Sequence, residues 1–268
     1  MLGVRTTWGQ RLDATALSGR DALRPRTIDA ASQLLNTISV ASLVLVGGLI
    51  VLVALARRRP YLSLGAGVVI AGSVITTELL KRVFLSRPEL GIHDAVRTVP
   101  SFPSGHTTVA FSLAIAALLV APSHIRAAIG IIGTIYAAGI GVAVVATANH
   151  RPSDPIGAVM VVTVWGAFIA AALQEVSVGT PRDQRDRRVS PALAIGGAAL
   201  LVFAFIGLVG TAFAIKADRL GTVEITGAFT GACAAVAGSA FLATAAFLAC
   251  LRGVSLDPPH DDIVPAHP

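Results

Sequence analysis

Long apolar runs constrain this chain more than any other feature, because about 20 apolar residues in a row are enough for a helix to cross a bilayer. Hydrophobic residues make up 54% of the 268 and charged residues only 13%, whereas a soluble domain carries roughly 25% charged residues. The composition therefore excludes an ordinary soluble enzyme. We expect an all-α fold, a polytopic transmembrane helical bundle of about seven spans, near 35–56, 61–80, 105–121, 127–148, 155–174, 191–215 and 223–251.

The charged residues divide the chain into parts, since half of them lie in three short segments outside the apolar runs. We expect a polar N-terminal segment (1–33), a membrane core (34–177), a charged linker (178–190), two additional spans (191–251) and a disordered tail (252–268). The net charge is +6, but no basic stripe alternates with aromatic residues, so nucleic-acid binding is not expected.

Residues able to do chemistry gather in two of the loops. The loop between the second and third spans contains Lys81, Arg87-Pro88 and then Pro103-Ser104-Gly105-His106. The loop between the fourth and fifth spans contains His150 and Asp154. Two spans separate these loops, so both emerge on the same face of the membrane, and the span count predicts one shared site.

The entry into the third span, at Ser104-Gly105-His106, suits an anion because the first backbone N–H groups of a helix are unpaired and carry positive partial charge. Ordinary capping of the helix by Ser104 explains the same residues equally well. Lys81 and Arg87 can bind phosphate oxygens, or they simply flank a span as basic residues do. Glu78 lies one helical turn before Lys81 and is expected to pair with it.

His150 and Asp154 are four residues apart, a spacing at which the carboxylate can hold the imidazole if the segment is helical. A histidine so oriented can act as a nucleophile or a general base. Alternatively, Asp154 caps the fifth span with Pro155 in the first helical position, and the two roles are compatible.

Several residues on the same face are of the types that bind metal ions. His93, Asp94, His106, His150 and Asp154 could supply ligands. However, the chain has no HExxH motif and no paired CxxC motif. We therefore expect no metal and no other cofactor.

Taken in order, Lys-x5-Arg-Pro, Pro-Ser-Gly-His and His-x3-Asp resemble the signature KxxxxxxRP, PSGH and SRxxxxxHxxxD of the type 2 phosphatidic acid phosphatase superfamily of membrane lipid phosphatases. The resemblance covers about residues 61–174. It implies a helical bundle with a phosphate pocket at one membrane interface. It also implies hydrolysis of a lipid phosphate or a polyprenyl (pyro)phosphate through a phosphohistidine, without a metal.

The resemblance also implies a role for each matching residue. His150 would attack phosphorus, Asp154 would orient it, and His106 would protonate the leaving alkoxide. The phosphate oxygens would be held by Lys81, Arg87, Ser104 and Gly105, an electrostatic preorganisation of the transition state.

Two departures from the signature stand out. Five residues rather than six separate Lys81 from Arg87, which on a helix would rotate one relative to the other by about 100°. Ala143 and Val144 stand where the third motif has Ser-Arg, so a phosphate-binding arginine is missing from its usual place. We hypothesise that Arg151, next to His150, replaces it.

The basic residues near the spans indicate the orientation. Nine arginines lie on the face opposite the motifs, against six basic residues on the motif face outside the motifs. Because positive loops favour the cytoplasm, we expect a multi-pass protein of the cell membrane with an extracytoplasmic site and a lipid phosphate substrate. We also consider a homodimer.

A second interpretation is a catalytically inactive membrane scaffold or a transporter that retains the fold. Clean spans argue against a transporter, which would need ionisable residues or broken helices near the midplane. Val144 in place of arginine is the best argument for the scaffold.

Overall fold

The computed structural model describes residues 5–85, 88, 90–92, 101–176 and 184–251. Within this part of the chain the secondary structure is helical and contains no strand, which confirms the all-α prediction. The helices are α1 (Thr7–Ser18), α2 (Pro25–Leu35), α3 (Val40–Ala56), α4 (Pro60–Leu79), α5 (Gly105–Val120), α6 (Ser123–Ala146), α7 (Ser153–Val176), α8 (Gln184–Lys216) and α9 (Thr222–Cys250). A 3₁₀ turn, Gly19–Ala22, follows α1, and a π-helical turn, Leu80–Phe84, extends α4.

Each of the seven predicted spans falls on a helix, although the helices differ in length. Five are long and apolar enough to cross a membrane by themselves, and α2 with α3 would make a sixth as one span bent by 55°. The remaining helix, α5, has only 16 residues. Seven spans is therefore an approximate count.

The short helix α5 is the centre of the bundle. It packs against α3, α4, α6 and α7, and its side chains Phe111 and Leu119 are fully buried. Because neighbouring helices surround α5 on most sides, its apolar composition serves the protein core more than contact with lipid. Its N-terminal end carries the Ser-Gly-His motif.

The last two helices, α8 and α9, form an antiparallel hairpin held by close backbone contact. A Cβ atom added at Gly238 would lie 2.9 Å from the carbonyl oxygen of Gly197, so a larger residue would push the helices apart. Small residues allow this close approach between helices in lipid. Only α9 packs broadly on the rest of the bundle, against α1, α6 and α7, whereas most of α8 is exposed.

The polar N-terminal segment is also folded. Helix α1 packs against α9, and α2 packs against α6. The helix α8 begins at Gln184, inside the segment predicted as a charged linker. Arg87, His93, Asp94 and the predicted disordered tail lie outside the described residues.

Candidate active site

The two motif loops meet, as the span count predicts. The backbone N–H of Ser104 donates a hydrogen bond to the carbonyl oxygen of Asp154 at 3.1 Å. The Arg151 guanidinium Nη1 donates to the hydroxyl of Ser101 at 3.0 Å. The start of α5 and the turn before α7 are thus joined by both backbone and side-chain contacts.

His150 is held by Asp154 at a distance of 3.1 Å between Nδ1 and Oδ2. The same carboxylate oxygen accepts the backbone N–H of Arg151, also at 3.1 Å, and Asp154 is 0% exposed. A carboxylate on Nδ1 fixes the tautomer that leaves Nε2 unprotonated in the neutral ring. The imidazole is thereby prepared to act through Nε2.

The contact between His150 and Asp154 forms across a turn and not along a helix. Residues 147–152 form turns, bends and irregular backbone between α6 and α7. Ala148 has a φ of 55°, and the N–H of His150 donates to the carbonyl of Val144 at 3.0 Å, which folds the chain back on itself. The premise of a helical segment was wrong, because the helix α6 ends at Ala146.

The helix α7 begins at Ser153, so Asp154 lies in its first turn and Pro155 is its third residue. The interpretation that placed Pro155 first was therefore wrong. The physical reason is that a distant residue caps this helix. The backbone N–H of Ser153 donates to Asp13 Oδ1 at 3.2 Å, and the Ser153 hydroxyl donates to Asp13 Oδ2 at 2.6 Å.

Ser104 is the N-cap of α5, which confirms the capping interpretation. Its buried hydroxyl accepts the backbone N–H of Thr107 at 3.4 Å and the hydroxyl of Thr107 at 3.2 Å. Gly105 and His106 are the first two helical residues. Their N–H groups lie at the positive end of the helix, where an anion is favoured.

Lys81 lies beside this helix start. A Cβ atom added at Gly105 would be 3.5 Å from Lys81 Nζ. The predicted pair with Glu78 is confirmed, with 3.1 Å between Nζ and Oε1, and Glu78 also binds Arg82 at 2.9 Å. Lys81 sits in the π-helical turn, a feature frequent at functional sites.

The helical rotation expected between Lys81 and Arg87 does not apply. The helical segment ends at Phe84, and Leu85 is extended with φ −123° and ψ 101°. The two residues therefore do not share one continuous helix, and the missing residue of the first motif does not fix their relative angle.

His106 completes the cluster. It is partly exposed and interacts electrostatically with both His150 and Lys81. Two imidazoles, an ammonium and a helix N-terminus thus lie at one end of the bundle. Such a cluster is suited to an anionic group with several oxygens.

Val144, which stands where the third motif has arginine, and Arg151 occupy different parts of the structure. Val144 is 0% exposed on α6 and belongs to the hydrophobic core. Arg151 is buried between the two loops, next to His150. The replacement of the missing arginine by Arg151 stays a prediction.

Sequence reasoning missed Asp13 and Ser101. Asp13 lies 140 residues before its partner Ser153. Ser101 stands two residues before the Pro-Ser-Gly-His motif. No local pattern marks either as a partner of the site. Among the described residues, no group of three His, Cys, Asp or Glu residues could hold a metal ion.

The structure is thus helical, with five helices long and apolar enough to cross a membrane and a cluster of two histidines and a lysine at one end of the bundle. Residues 61–177, less than half of the chain, match the PAP2 superfamily model, and this match supports membership of that superfamily. The described cluster from Lys81 to Asp154 lies within the match, whereas α1 to α3, α8 and α9 lie outside it. No curated protein and no solved structure matches the chain. Membership supports a phosphoric ester hydrolase.

Proposed function

We propose that this protein is an integral membrane phosphatase that hydrolyses a lipid phosphate or a polyprenyl (pyro)phosphate through a phosphohistidine. The observation that carries the proposal is the buried Asp154 carboxylate on Nδ1 of His150, at the end of the bundle where His106 and Lys81 also lie. A histidine held in this way has a defined nucleophilic nitrogen. The cations beside it can stabilise the charge on a transferring phosphoryl group.

In the proposed reaction, Nε2 of His150 attacks phosphorus and the bond from phosphorus to the leaving oxygen breaks. His106 gives its proton to that oxygen, so the product leaves as a neutral alcohol or a protonated phosphate. A water molecule then attacks the phosphohistidine, with His106 as the base that takes its proton. Inorganic phosphate leaves, and both histidines return to their starting states.

The phosphate oxygens are proposed to be held by Lys81, by the N–H groups at the start of α5 and by Arg151. The burial of Arg151 next to His150 supports the hypothesis that it replaces the missing arginine of the third motif. Arg87 and the hydroxyl of Ser104 are also proposed to bind phosphate, because their motifs resemble those of the superfamily. No metal or other cofactor takes part in the proposed reaction.

The test is release of inorganic phosphate by the purified full chain in detergent or in nanodiscs. The substrates are phosphatidic acid and a polyprenyl pyrophosphate, and the matched variant is His150→Ala. We expect hydrolysis of at least one substrate by the wild type and loss of turnover in the variant. Trapping of acid-labile radioactive phosphate on the wild type alone would support the covalent intermediate.

The inactive scaffold is the second candidate, and the buried Val144 favours it. A scaffold predicts no phosphate release from any lipid phosphate by a folded wild type. The same assay therefore separates the two functions.

The five apolar helices of membrane length support a membrane protein, and the basic loops support a site on the extracytoplasmic side of the cell membrane. The test is labelling of His93→Cys and Gln184→Cys from outside intact cells, with Cys233 and Cys250 replaced by alanine. We expect labelling at position 93 alone. Labelling at 184 alone would reverse the orientation. The homodimer is tested by crosslinking at the exposed face of α8.

A further inference from the structure

We propose that Asp13 on α1 is a positioning residue for the His150–Asp154 pair, and that α9 holds α1 in place for this role. The proposal rests on the proposed function. Asp13 is buried, and its two carboxylate oxygens accept the N–H and the hydroxyl of Ser153. Ser153 is the first residue of α7 and immediately precedes Asp154.

The Asp13 carboxylate supplies both a hydrogen-bond acceptor and a negative charge to the start of α7. The first N–H groups of a helix have no partner within it, and negative charge is favoured at that end. Asp13 supplies an acceptor and a charge from a helix more than a hundred residues away in sequence. This fixes the position at which α7 begins, and with it the backbone of Asp154.

Asp13 also determines whether the Ser153 hydroxyl donates its hydrogen bond to Asp13 or to the Asp154 carboxylate. The Ser153 hydroxyl lies 2.6 Å from Asp13 Oδ2 and 3.4 Å from Asp154 Oδ1. Because the hydroxyl has one proton, its donation to Asp13 leaves Asp154 to His150 and the Arg151 N–H. Without Asp13, the proton would turn to Asp154 and weaken the hold of that carboxylate on the imidazole.

Two further hydrogen bonds join the N-terminal segment to the surroundings of the site. The Gln10 amide Nε2 donates to the carbonyl oxygen of Pro88 at 2.9 Å, in the segment after α4. Arg20 Nε donates to the carbonyl oxygen of Ala146 at 3.0 Å, at the end of α6. With Asp13, the segment therefore contacts three parts of the chain that border the site.

The accessory helix α9 supports α1 from the other side. A Cβ atom added at Gly19 would lie 2.5 Å from the carbonyl oxygen of Ile225 and 2.6 Å from Cβ of Phe229. Any side chain at Gly19 would therefore push α1 away from α9. Through this contact α9, which follows the superfamily segment, has a role in the site.

The decisive experiment compares Asp13→Asn, Ser153→Ala, the double variant and the control Asp29→Asn, which changes an exposed aspartate of α2. We expect kcat to fall on the order of tenfold in Asp13→Asn, as for loss of one hydrogen bond to a charged group. KM should stay near the wild-type value, the midpoint of thermal unfolding should fall slightly because a helix cap is weakened, and the double variant should be no slower than the worse single variant. Equal kcat in Asp13→Asn and Asp29→Asn, or additive losses, would overturn the proposal.

Hydrogen exchange provides a measurement that does not depend on activity. In Asp13→Asn, the peptide covering 147–157 should exchange faster than in the wild type, and in Asp29→Asn it should not. Faster exchange in a chain without any phosphatase activity would contradict the proposed function but not the capping of α7. Unchanged exchange and unchanged kcat in an active enzyme would contradict the positioning role alone.

Gly19→Ala tests the support by α9, because its added methyl group must shift α1 or α9. We expect the same loss of kcat as in Asp13→Asn and no further loss when the two changes are combined. Wild-type kcat in Gly19→Ala, or a loss that adds to that of Asp13→Asn, would overturn the role of α9.

Discussion

The two halves of the site differ in how the protein holds them. The half formed by His150, Arg151 and Asp154 is buried and closed by hydrogen bonds to the backbone and to other side chains. The half formed by Lys81 and His106 is partly exposed, at the end of one helix and the start of another. In the proposed reaction, the buried half sets the geometry of the nucleophile, and the exposed half is where an anionic head group approaches.

Asp154→Asn breaks the buried half and should have the largest effect. Asparagine cannot accept both the imidazole N–H and the Arg151 N–H on a charged oxygen, so the tautomer of His150 is no longer fixed. We expect kcat to fall on the order of 10⁴-fold, as for loss of an orienting aspartate in other histidine-dependent enzymes. The control is Asp29→Asn, with thermal unfolding measured on both. A loss below tenfold in a folded variant would show that Asp154 does not orient the nucleophile.

Lys81→Ala tests the exposed half of the site, and the matched control is Arg82→Ala. Both Lys81 and Arg82 bind Glu78, but the Lys81 side chain is 17% exposed and lies beside Gly105, whereas Arg82 is 76% exposed. We expect kcat/KM to fall about 100-fold in Lys81→Ala, the usual cost of one donor to a transition-state oxyanion. Arg82→Ala should stay within about twofold. Equal losses would mean that the pair with Glu78, and not phosphate binding, is what matters.

Arg151→Ala tests whether a residue of the buried half replaces the missing arginine. We expect kcat/KM to fall on the order of tenfold, since one hydrogen-bonding cation is lost while Lys81 remains. The control is Arg26→Ala, an exposed position at the start of α2. Phosphate release that is the same in the two variants would end the replacement hypothesis.

Gly105→Ala should have the smallest effect. The added methyl group would make an ordinary 3.5 Å contact with Lys81 Nζ, so folding should be unchanged while space for the phosphate is reduced. We expect KM to rise about threefold to fivefold, which corresponds to about 1 kcal/mol of binding. Gly67→Ala on α4 is the control, because nothing lies within 4 Å of its added Cβ. No change in KM would place the phosphate away from the start of α5.

The bundle itself was predictable because hydropathy acts locally. A run of apolar residues in lipid must form a helix, since its backbone groups can find partners only within the segment. The parity of spans then sufficed to place Lys81, His106 and His150 on one face. The pair of Lys81 with Glu78 and the capping of α5 by Ser104 also followed from short spacings.

The turn at 147–152 and the cap by Asp13 were not predictable in this way. The sequence spacing of His150 and Asp154 suited a helix, but the carbonyl of Val144 and the left-handed Ala148 produce the same contact through a turn. The capping rules describe neighbours in sequence, whereas Asp13 reaches α7 across 140 residues.

By itself, the sequence determined a membrane-type helical bundle with its chemistry in two loops on one face, because periodicity, hydropathy and span parity are properties of local segments. Only the tertiary structure decided which groups complete the site. Asp13 of α1 lies at the start of α7 while α1 packs against α9, and the meeting of two loops brings Arg151 to Ser101. Such contacts depend on the relative positions of whole helices, which no short stretch of sequence encodes.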